Sequence, residues 1–194
     1  KLSKKFKNKK YTLLIVLGDR YEIFIGSFAA SLYKIPIAHL SGGDETQGAY
    51  DNQFRHGITK LAHLHFPTNE ISKKRILKMG ENPKYVYNYG SLSLENIKSL
   101  KRLDLKNIEK EFNFKFQKKY FLVCYHPETL NSKNKKNFQS LIKAILKFKK
   151  IQFIFTSSNS DEGGDEINTL TKKISNKNKN IVFVKSFGQE KYLN

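Results

Sequence analysis

The chain has 194 residues, 39% of them hydrophobic and 13% aromatic, enough to bury the core of one large domain or two small ones. Its single cysteine excludes an internal disulfide and a multi-cysteine zinc site and fits a reducing cytoplasm; no apolar run approaches the roughly 18 residues of a membrane span, and the basic start KLSKKFKNKK has no apolar segment behind it to act as a leader. The formal charge is +19, yet residues 11–97 carry nine basic and eight acidic groups and only four of 36 basic residues are arginine, so the excess reads as solvated lysine surface rather than a nucleic-acid or membrane footprint.

In chain order, YTLLIVLGD (11–19) is a short continuous apolar run ending on Gly-Asp, the pattern of a buried parallel strand. Residues 20–34 place Ile23, Phe24, Phe28 and Leu32 at helical spacing, and Pro36 ends that helix. IPIAHL (35–40) reads as a second buried strand running into Ser-Gly-Gly-Asp. A helix is expected from about Ala49 to Ala62, a short strand at 64–68, and a helix over 69–79 with Asn69 as its cap and Gly80 as its stop. YVYNYG (85–90) reads as a further strand. Residues 91–118 are charged, weakly helical at best, and are expected to form a crossover between domains. The pattern then restarts: strand 119–126, amphipathic helix 134–150, strand 151–156, helix 166–176 and strand 180–187. Alternating strands and helices point to an α/β fold built on parallel sheets. The chain opens on Lys1 rather than Met, and QEKYLN at its end reads as the opening of a helix, so a piece of a longer protein is expected.

In open α/β sheets, ligands bind beyond the carboxyl ends of the strands. Four expected strands carry polar residues there: Asp19 and Arg20; Ser41, Gly42, Gly43 and Asp44; His126; and Ser157, Ser158, Asn159 and Asp161. The densest cluster, SGGDETQGAYD (41–51), holds Asp44, Glu45 and Asp51 among glycines that let the backbone turn tightly and approach a ligand. Crowded carboxylates raise one another's pKa, which suits general acid–base work, while an acidic surface loop capping a helix through Asp51 is the plainer reading. Neither G-x-G-x-x-G nor G-x-x-x-x-G-K-[ST] occurs, so the chain has no dinucleotide fingerprint and no P-loop. His63 and His65 share a strand face but lack a third ligand at suitable spacing, which favours structural histidines and no metal. Cys124, beside His126, suggests a thiol nucleophile, but within FLVCY it reads as a buried small residue.

VLGDR (16–20), IPIAHLSGGDETQGAYDNQFRHGITKLAHLHF (35–66), YNYGSLSLENI (87–97), CYHPET (124–129) and TSSNSDEGG (156–164) together resemble the hydrolysing UDP-N-acetylglucosamine 2-epimerases, in order and across nearly the whole chain. The resemblance implies a glycosyltransferase-B-like architecture of two Rossmann-like domains with the substrate in the cleft between them. Residues 1–95 would be the remainder of the first, 96–118 the crossover, and 119–194 the first half of the second. It implies removal of the sugar C2 proton, loss of UDP from C1 through a glycal-type intermediate, addition of water at C1, and reprotonation of C2 from the other face. The products would be UDP and N-acetylmannosamine or a related sugar, feeding sialic-acid-like sugar synthesis, with no cofactor.

By the same resemblance Asp19 and Asp51 match catalytic carboxylates, and His126 matches the imidazole of a His-Pro motif that supports the leaving diphosphate. Arg20 stands beside Asp19, and Arg55 and His56 match an Arg-His pair. Many relatives carry Glu or His where Ser41 precedes Gly42-Gly43, and in some that Glu is catalytic, which implies either that the carboxylate role passes to Asp44 or that activity is reduced or altered. Asn159 and Asp161 belong to an NADEGGR-like run in which Asp165 replaces a basic residue. The family's opening strands would precede Lys1, and its Gly-Asn-Ser-Ser segment would follow Asn194, so the 194 residues alone are expected to be weakly stable and catalytically poor. A full-length form is expected to act on UDP-N-acetylglucosamine or a related nucleotide sugar as a homo-oligomer, without nucleic acid or membrane. The alternatives are a non-hydrolysing UDP-sugar 2-epimerase, whose typical His-x-Glu-Ala-Gly run is absent, and an inactive sugar-nucleotide-binding piece.

Overall fold

The computed structural model describes residues 2–159 and 161–194; Lys1 and Ser160, the latter inside the TSSNSDEGG run, lie outside the described residues. The chain divides into two compact units, Lys1–Lys98 and Ser99–Asn194.

In the first unit, helix α1 (Leu2–Asn8) precedes strand β1 (Leu14–Leu17), α2 (Tyr21–Leu32), β2 (Ile37–Leu40), α3 (Asp51–Leu61), β3 (Leu64–Phe66) and α4 (Glu70–Lys78). The strands form a parallel sheet in the order β1-β2-β3, with Leu17 opposite Leu40 and Leu40 opposite Phe66. Parallel neighbours require crossover connections, which α2 and α3 supply. These helices pack one face of the sheet around Val16, Ala30, Ile35, Ile37, Ile58 and Ala62. The other face is open: Ile15 is 65% and Leu17 58% exposed, so β1, expected to be buried, buries only Val16 among its four residues.

Asn69 caps α4 as expected, its Oδ1 accepting from the Ser72 N–H at 2.9 Å, and the helix stops before Gly80. The expected strand 85–90 is instead a single parallel bridge between His65 and Val86. Local turns explain this. Asn82 accepts from the Lys84 N–H and Pro83 opens a 3-10 turn over Pro83–Tyr85, while Asn88 accepts from the Gly90 N–H. Side chains competing for the backbone at both ends leave no room for a ladder.

Residues 91–118, expected to be weakly structured, carry α5 (Leu92–Ser99) and α6 (Leu105–Phe112). Asp104 caps α6 by accepting from the Lys106 N–H at 3.0 Å, and Asn113 ends it in the left-handed conformation.

The second unit continues with β4 (Tyr120–Val123), α7 (Asn134–Ile145), β5 (Gln152–Thr156), α8 (Gly164–Ser175), β6 (Ile181–Val184) and α9 (Gly188–Tyr192). Its sheet is parallel in the order β4-β5-β6. On one face, Phe138, Ile142 and Ile145 of α7 and Ile167 of α8 pack on Phe153, Phe155 and Ile181. On the other, Ile108 of α6 packs with Ile154, Val184 and Phe187, and Phe112, Phe114 and Phe116 extend that cluster. β5 is thus covered on both sides, as its unbroken apolar sequence requires. β4 leaves Tyr120, Phe121 and Leu122 each more than 40% exposed. Among the described residues no helix is long and apolar enough to cross a membrane.

Candidate active site

Both sheets present their polar residues at the carboxyl ends of parallel strands. In the first unit, β1 ends at Leu17, and Gly18, with φ +82°, turns the chain so that Asp19 follows directly on the strand. The Asp19 carboxylate forms a salt bridge with Arg55, one turn inside α3. Arg55 is 5% exposed. Its Nη1 also donates to the Asp44 carbonyl at 2.8 Å and to Asn52 Oδ1 at 2.9 Å, and its Nη2 to Thr46 Oγ1 at 3.3 Å. One planar cation therefore ties the end of β1, the loop after β2 and the start of α3 together, a role that the forked geometry of guanidinium suits.

Asp51, the first residue of α3, stands at the helix N-terminus, where the backbone dipole favours its charge, and one turn before Arg55 on the same face. His56 is half-buried. Burial lowers its pKa, nearby Glu45 raises it, and Arg55 and Arg75 lower it further. Its Nδ1 is buried with no hydrogen-bond partner among the described residues. Arg20 lies over the Tyr21 ring and pairs with Glu22 at 3.5 Å, exposed at the same strand end.

The loop after β2 divides its residues. Ser41 adopts a left-handed φ of +60° and lines a mostly apolar groove of about 330 Å³ on the open face of the sheet, together with Ile15, Leu40, Phe66, Thr68 and Tyr89. The Asp44 carboxylate instead turns toward the start of α4, where Ser72 Oγ, Asn69 Nδ2 and Thr68 Oγ1 donate to it. Glu45 is held by Arg75 at 3.0 Å. Gly42 abuts the ring of His39.

His39 is a residue that the sequence pattern passes over. It is fully buried within β2, with Nε2 2.8 Å from the Gly18 carbonyl oxygen and Nδ1 3.2 Å from Thr59 Oγ1. Its one cue in the sequence is an imidazole in an otherwise apolar strand immediately before Ser-Gly-Gly. The two histidines at β3 serve structure: His63, just before the strand, accepts at Nδ1 from the Ile37 N–H at 3.3 Å, and His65 Nε2 lies 3.2 Å from Glu81. Burial lowers the pKa of His65 although Glu81 opposes it. Among the described residues no three His, Cys, Asp or Glu side chains gather as a metal site.

In the second unit, His126 follows β4, and its Nδ1 accepts from the Asn159 N–H at 3.0 Å, which leaves Nε2 to carry the proton of a neutral ring. Asn159 Nδ2 donates to Asp161 at 2.5 Å. Gly164 opens α8 so close to this loop that a Cβ there would lie 2.1 Å from the Asn159 carbonyl oxygen. Cys124, expected to be buried, is exposed, with Sγ 2.8 Å from Thr156 Oγ1 and 3.1 Å from Tyr192 Oη. The reason is that the last strand residues and α9 frame a hollow of about 400 Å³, lined among others by Cys124, His126, Thr156, Ser157, Lys185 and Tyr192.

Two α/β units, each with a parallel sheet whose carboxyl edge carries acids, hydroxyls and an imidazole, define a protein of the glycosyltransferase-B-like class. A family model described as UDP-N-acetylglucosamine 2-epimerase matches residues 1–194, and the chain belongs to that family. It is 40% identical, over 97% of its length and 50% of the relative's, to the GDP/UDP-N,N'-diacetylbacillosamine 2-epimerase (hydrolyzing) of Campylobacter jejuni. It is 42% identical, over 86% of its length and 43% of the relative's, to the polysialic acid biosynthesis protein P7 of Escherichia coli. Its fold matches the crystal structure of UDP-GlcNAc 2-epimerase from Neisseria meningitidis bound to UDP-GlcNAc, with a TM-score of 0.76 and 21% identity, over 99% of this chain and 54% of that one. The chain spans about half the length of the curated relatives it matches.

Proposed function

We propose that the protein is a hydrolysing 2-epimerase of nucleotide-linked 2-acetamido sugars, and that these residues carry part of its active site. The observation that carries this reading is Asp19: a carboxylate on the carboxyl end of a parallel strand, held by a buried arginine, in a chain of this family. A proton is taken from sugar C2, and the C1–O bond breaks with its electron pair leaving on the nucleoside diphosphate. The resulting C1=C2 double bond then receives hydroxide from water at C1 and a proton at C2 from the opposite face. Asp19 and Asp51 are the carboxylates for the C2 proton, and His126 supports the departing diphosphate through its Nε2–H.

The geometry supports a division of labour among the remaining residues. Arg55 has its guanidinium committed to protein acceptors, so its part is positioning Asp19 rather than touching substrate. Asp44 has its carboxylate committed to hydroxyl and amide donors at α4, so its part is fixing the glycine-rich loop. Arg20, Ser41, Gly42, Gly43, His56, Asn159 and Asp161 are assigned to substrate binding. Residues 1–95 and 119–194 are assigned to successive Rossmann-like domains, with 96–118 leading into the second, on whose sheet α6 packs. The products are UDP and N-acetylmannosamine or a related 2-epimerised sugar for sialic-acid-like synthesis, in the cytoplasm, by a homo-oligomer. The Campylobacter jejuni relative, whose name carries the word hydrolyzing, favours the hydrolysing outcome.

The test is incubation of the full-length protein with UDP-N-acetylglucosamine and, separately, UDP-N,N'-diacetylbacillosamine, with identification of products. Free 2-epimerised sugar together with UDP is expected from at least one of them. An epimerised UDP-sugar with no free sugar would transfer the protein to the non-hydrolysing reading. Wild-type turnover by both Asp19→Asn and Asp51→Asn would remove the site assignment.

A further inference from the structure

The polar contacts around Asp19 lead through α3 and β2 and back to its own backbone. Arg55 grips the Asp19 carboxylate. The Arg55 carbonyl oxygen lies 3.0 Å from Thr59 Oγ1, one turn further along α3. Thr59 Oγ1 lies 3.2 Å from His39 Nδ1, and His39 Nε2 lies 2.8 Å from the carbonyl oxygen of Gly18, the residue covalently joined to Asp19. The circuit runs from the Asp19 side chain through α3 and β2 and returns to the Asp19 backbone.

We propose that His39 is a positioning residue for Asp19, fixing the Gly18–Asp19 peptide through its Nε2–H. This rests on the reading of Asp19 as a reacting carboxylate. The register between β1 and β2 ends at the Leu17–Leu40 pair. Beyond it, the Gly18 N–H donates to the Leu40 carbonyl at 3.0 Å, and the carbonyl of the same residue is held by the imidazole. That carbonyl shares a peptide plane with the Asp19 nitrogen, so its direction sets where the Asp19 side chain leaves the backbone. The Gly18 turn has a left-handed φ and a glycine's freedom. A side chain supplies here the constraint that the ladder no longer does.

The chemistry specifies one tautomer. A carbonyl oxygen only accepts, so Nε2 carries the proton; Nδ1 then lies beside the Thr59 hydroxyl, whose single hydrogen also has the Arg55 carbonyl as an acceptor. Burying an imidazole where an aliphatic residue would fit costs desolvation, which its hydrogen bond to Gly18 and its contact with the Thr59 hydroxyl offset. Burial disfavours the charged ring most, and His65 and Arg55 add to it, outweighing the Gly18 carbonyl and Asp19, which favour the charge; the pKa falls to about 4, so the ring stays neutral at pH 7. Fully buried, His39 meets no substrate and acts through Asp19.

The experiment uses the full-length protein with His39→Gln and His39→Asn. Glutamine carries an amide N–H to the Nε2 position and retains the bond to Gly18, whereas asparagine reaches only as far as Nδ1. On the expectation that small misplacements of a reacting group cost up to about 100-fold, His39→Asn lowers kcat about 10- to 100-fold, with KM for the nucleotide sugar changed by no more than about threefold. His39→Gln recovers most of that loss. Equal kcat for the two variants, or a loss confined to KM, overturns the proposal. Should His39→Asn fail to fold, nitrogen chemical shifts of His39 in the wild-type protein decide: the Nε2–H tautomer is expected, and an Nδ1–H tautomer overturns it. If Asp19→Asn turns over like wild type, the reading of Asp19 fails separately, because the tautomer is measured without activity.

Discussion

The Cα of Gly42 faces the imidazole of His39 so closely that a Cβ there would stand 2.8 Å from Nδ1, 3.0 Å from Cε1 and 3.1 Å from Thr59 Oγ1. The glycine is required by the ring behind it, which is itself clamped between Gly18 and Thr59 and has nowhere to move. Gly42→Ala is therefore expected to destabilise the protein by about 1–3 kcal/mol, the usual cost of overpacking a filled site. Urea unfolding of the two proteins measures it, and an unchanged midpoint would mean the loop relaxes away from His39.

The same substitution should act in the opposite direction at Gly26. This glycine lies inside α2, where an added Cβ would meet nothing within 4 Å. Alanine relieves the entropic penalty of glycine in a helix, so Gly26→Ala is expected to stabilise by roughly 0.5–1 kcal/mol. A rise in thermal midpoint checks this, and a fall would show that the exposed side of α2 is covered in the full protein.

Stability should decline as the solution is acidified through the histidine range. Burial depresses the His39 pKa from 6.5 to about 4. Between those values the unfolded chain binds a proton that the folded chain refuses. The stabilisation is thus complete above pH 6.5, falls as pH drops toward 4, and levels off below it. The shift corresponds to a loss on the order of 3 kcal/mol. His65, whose pKa is also lowered by burial, acts in the same direction. Urea unfolding from about pH 7.5 to about pH 4 checks the trend, and the slope should shrink in His39→Gln, which has no titrating ring.

Arg55→Lys preserves charge and removes the fork. A lysine reaches at most part of what Arg55 holds, since Asp19, the Asp44 carbonyl, Asn52 and Thr46 lie on three segments. Breaking a buried pair costs about 3–5 kcal/mol, and the Asp19 side chain is 27% exposed, so a loss of about 2 kcal/mol or more is expected. Denaturant titration measures it; a loss below about 0.5 kcal/mol would reduce the clamp to a surface ion pair.

Much of this was legible from residue order. The apolar runs and helical spacings marked the strands and most of the helices between them to within a few residues, because the periodicity of a chain reports which face it buries. At α4 the Asn69 cap and the Gly80 stop were both readable as local chemistry. The strand expected at 85–90 failed for a reason equally local, the turns made by Asn82, Pro83 and Asn88. The helices in 91–118 were obscured by lysine: α6 buries only Ile108, and its apolar neighbours find their partners on a sheet that follows later in the chain.

Sequence by itself determined the family, the alternation of strand and helix, and the placement of polar residues at strand ends, since these depend on neighbours along the chain. Only the tertiary structure decided which of those residues serve one another. Arg55 turned inward to Asp19, Asp44 turned to α4, and His39 closed a circuit across three elements. Each of these pairings joins residues 20 or more positions apart, and direction across such a gap is set by packing, which no local pattern records.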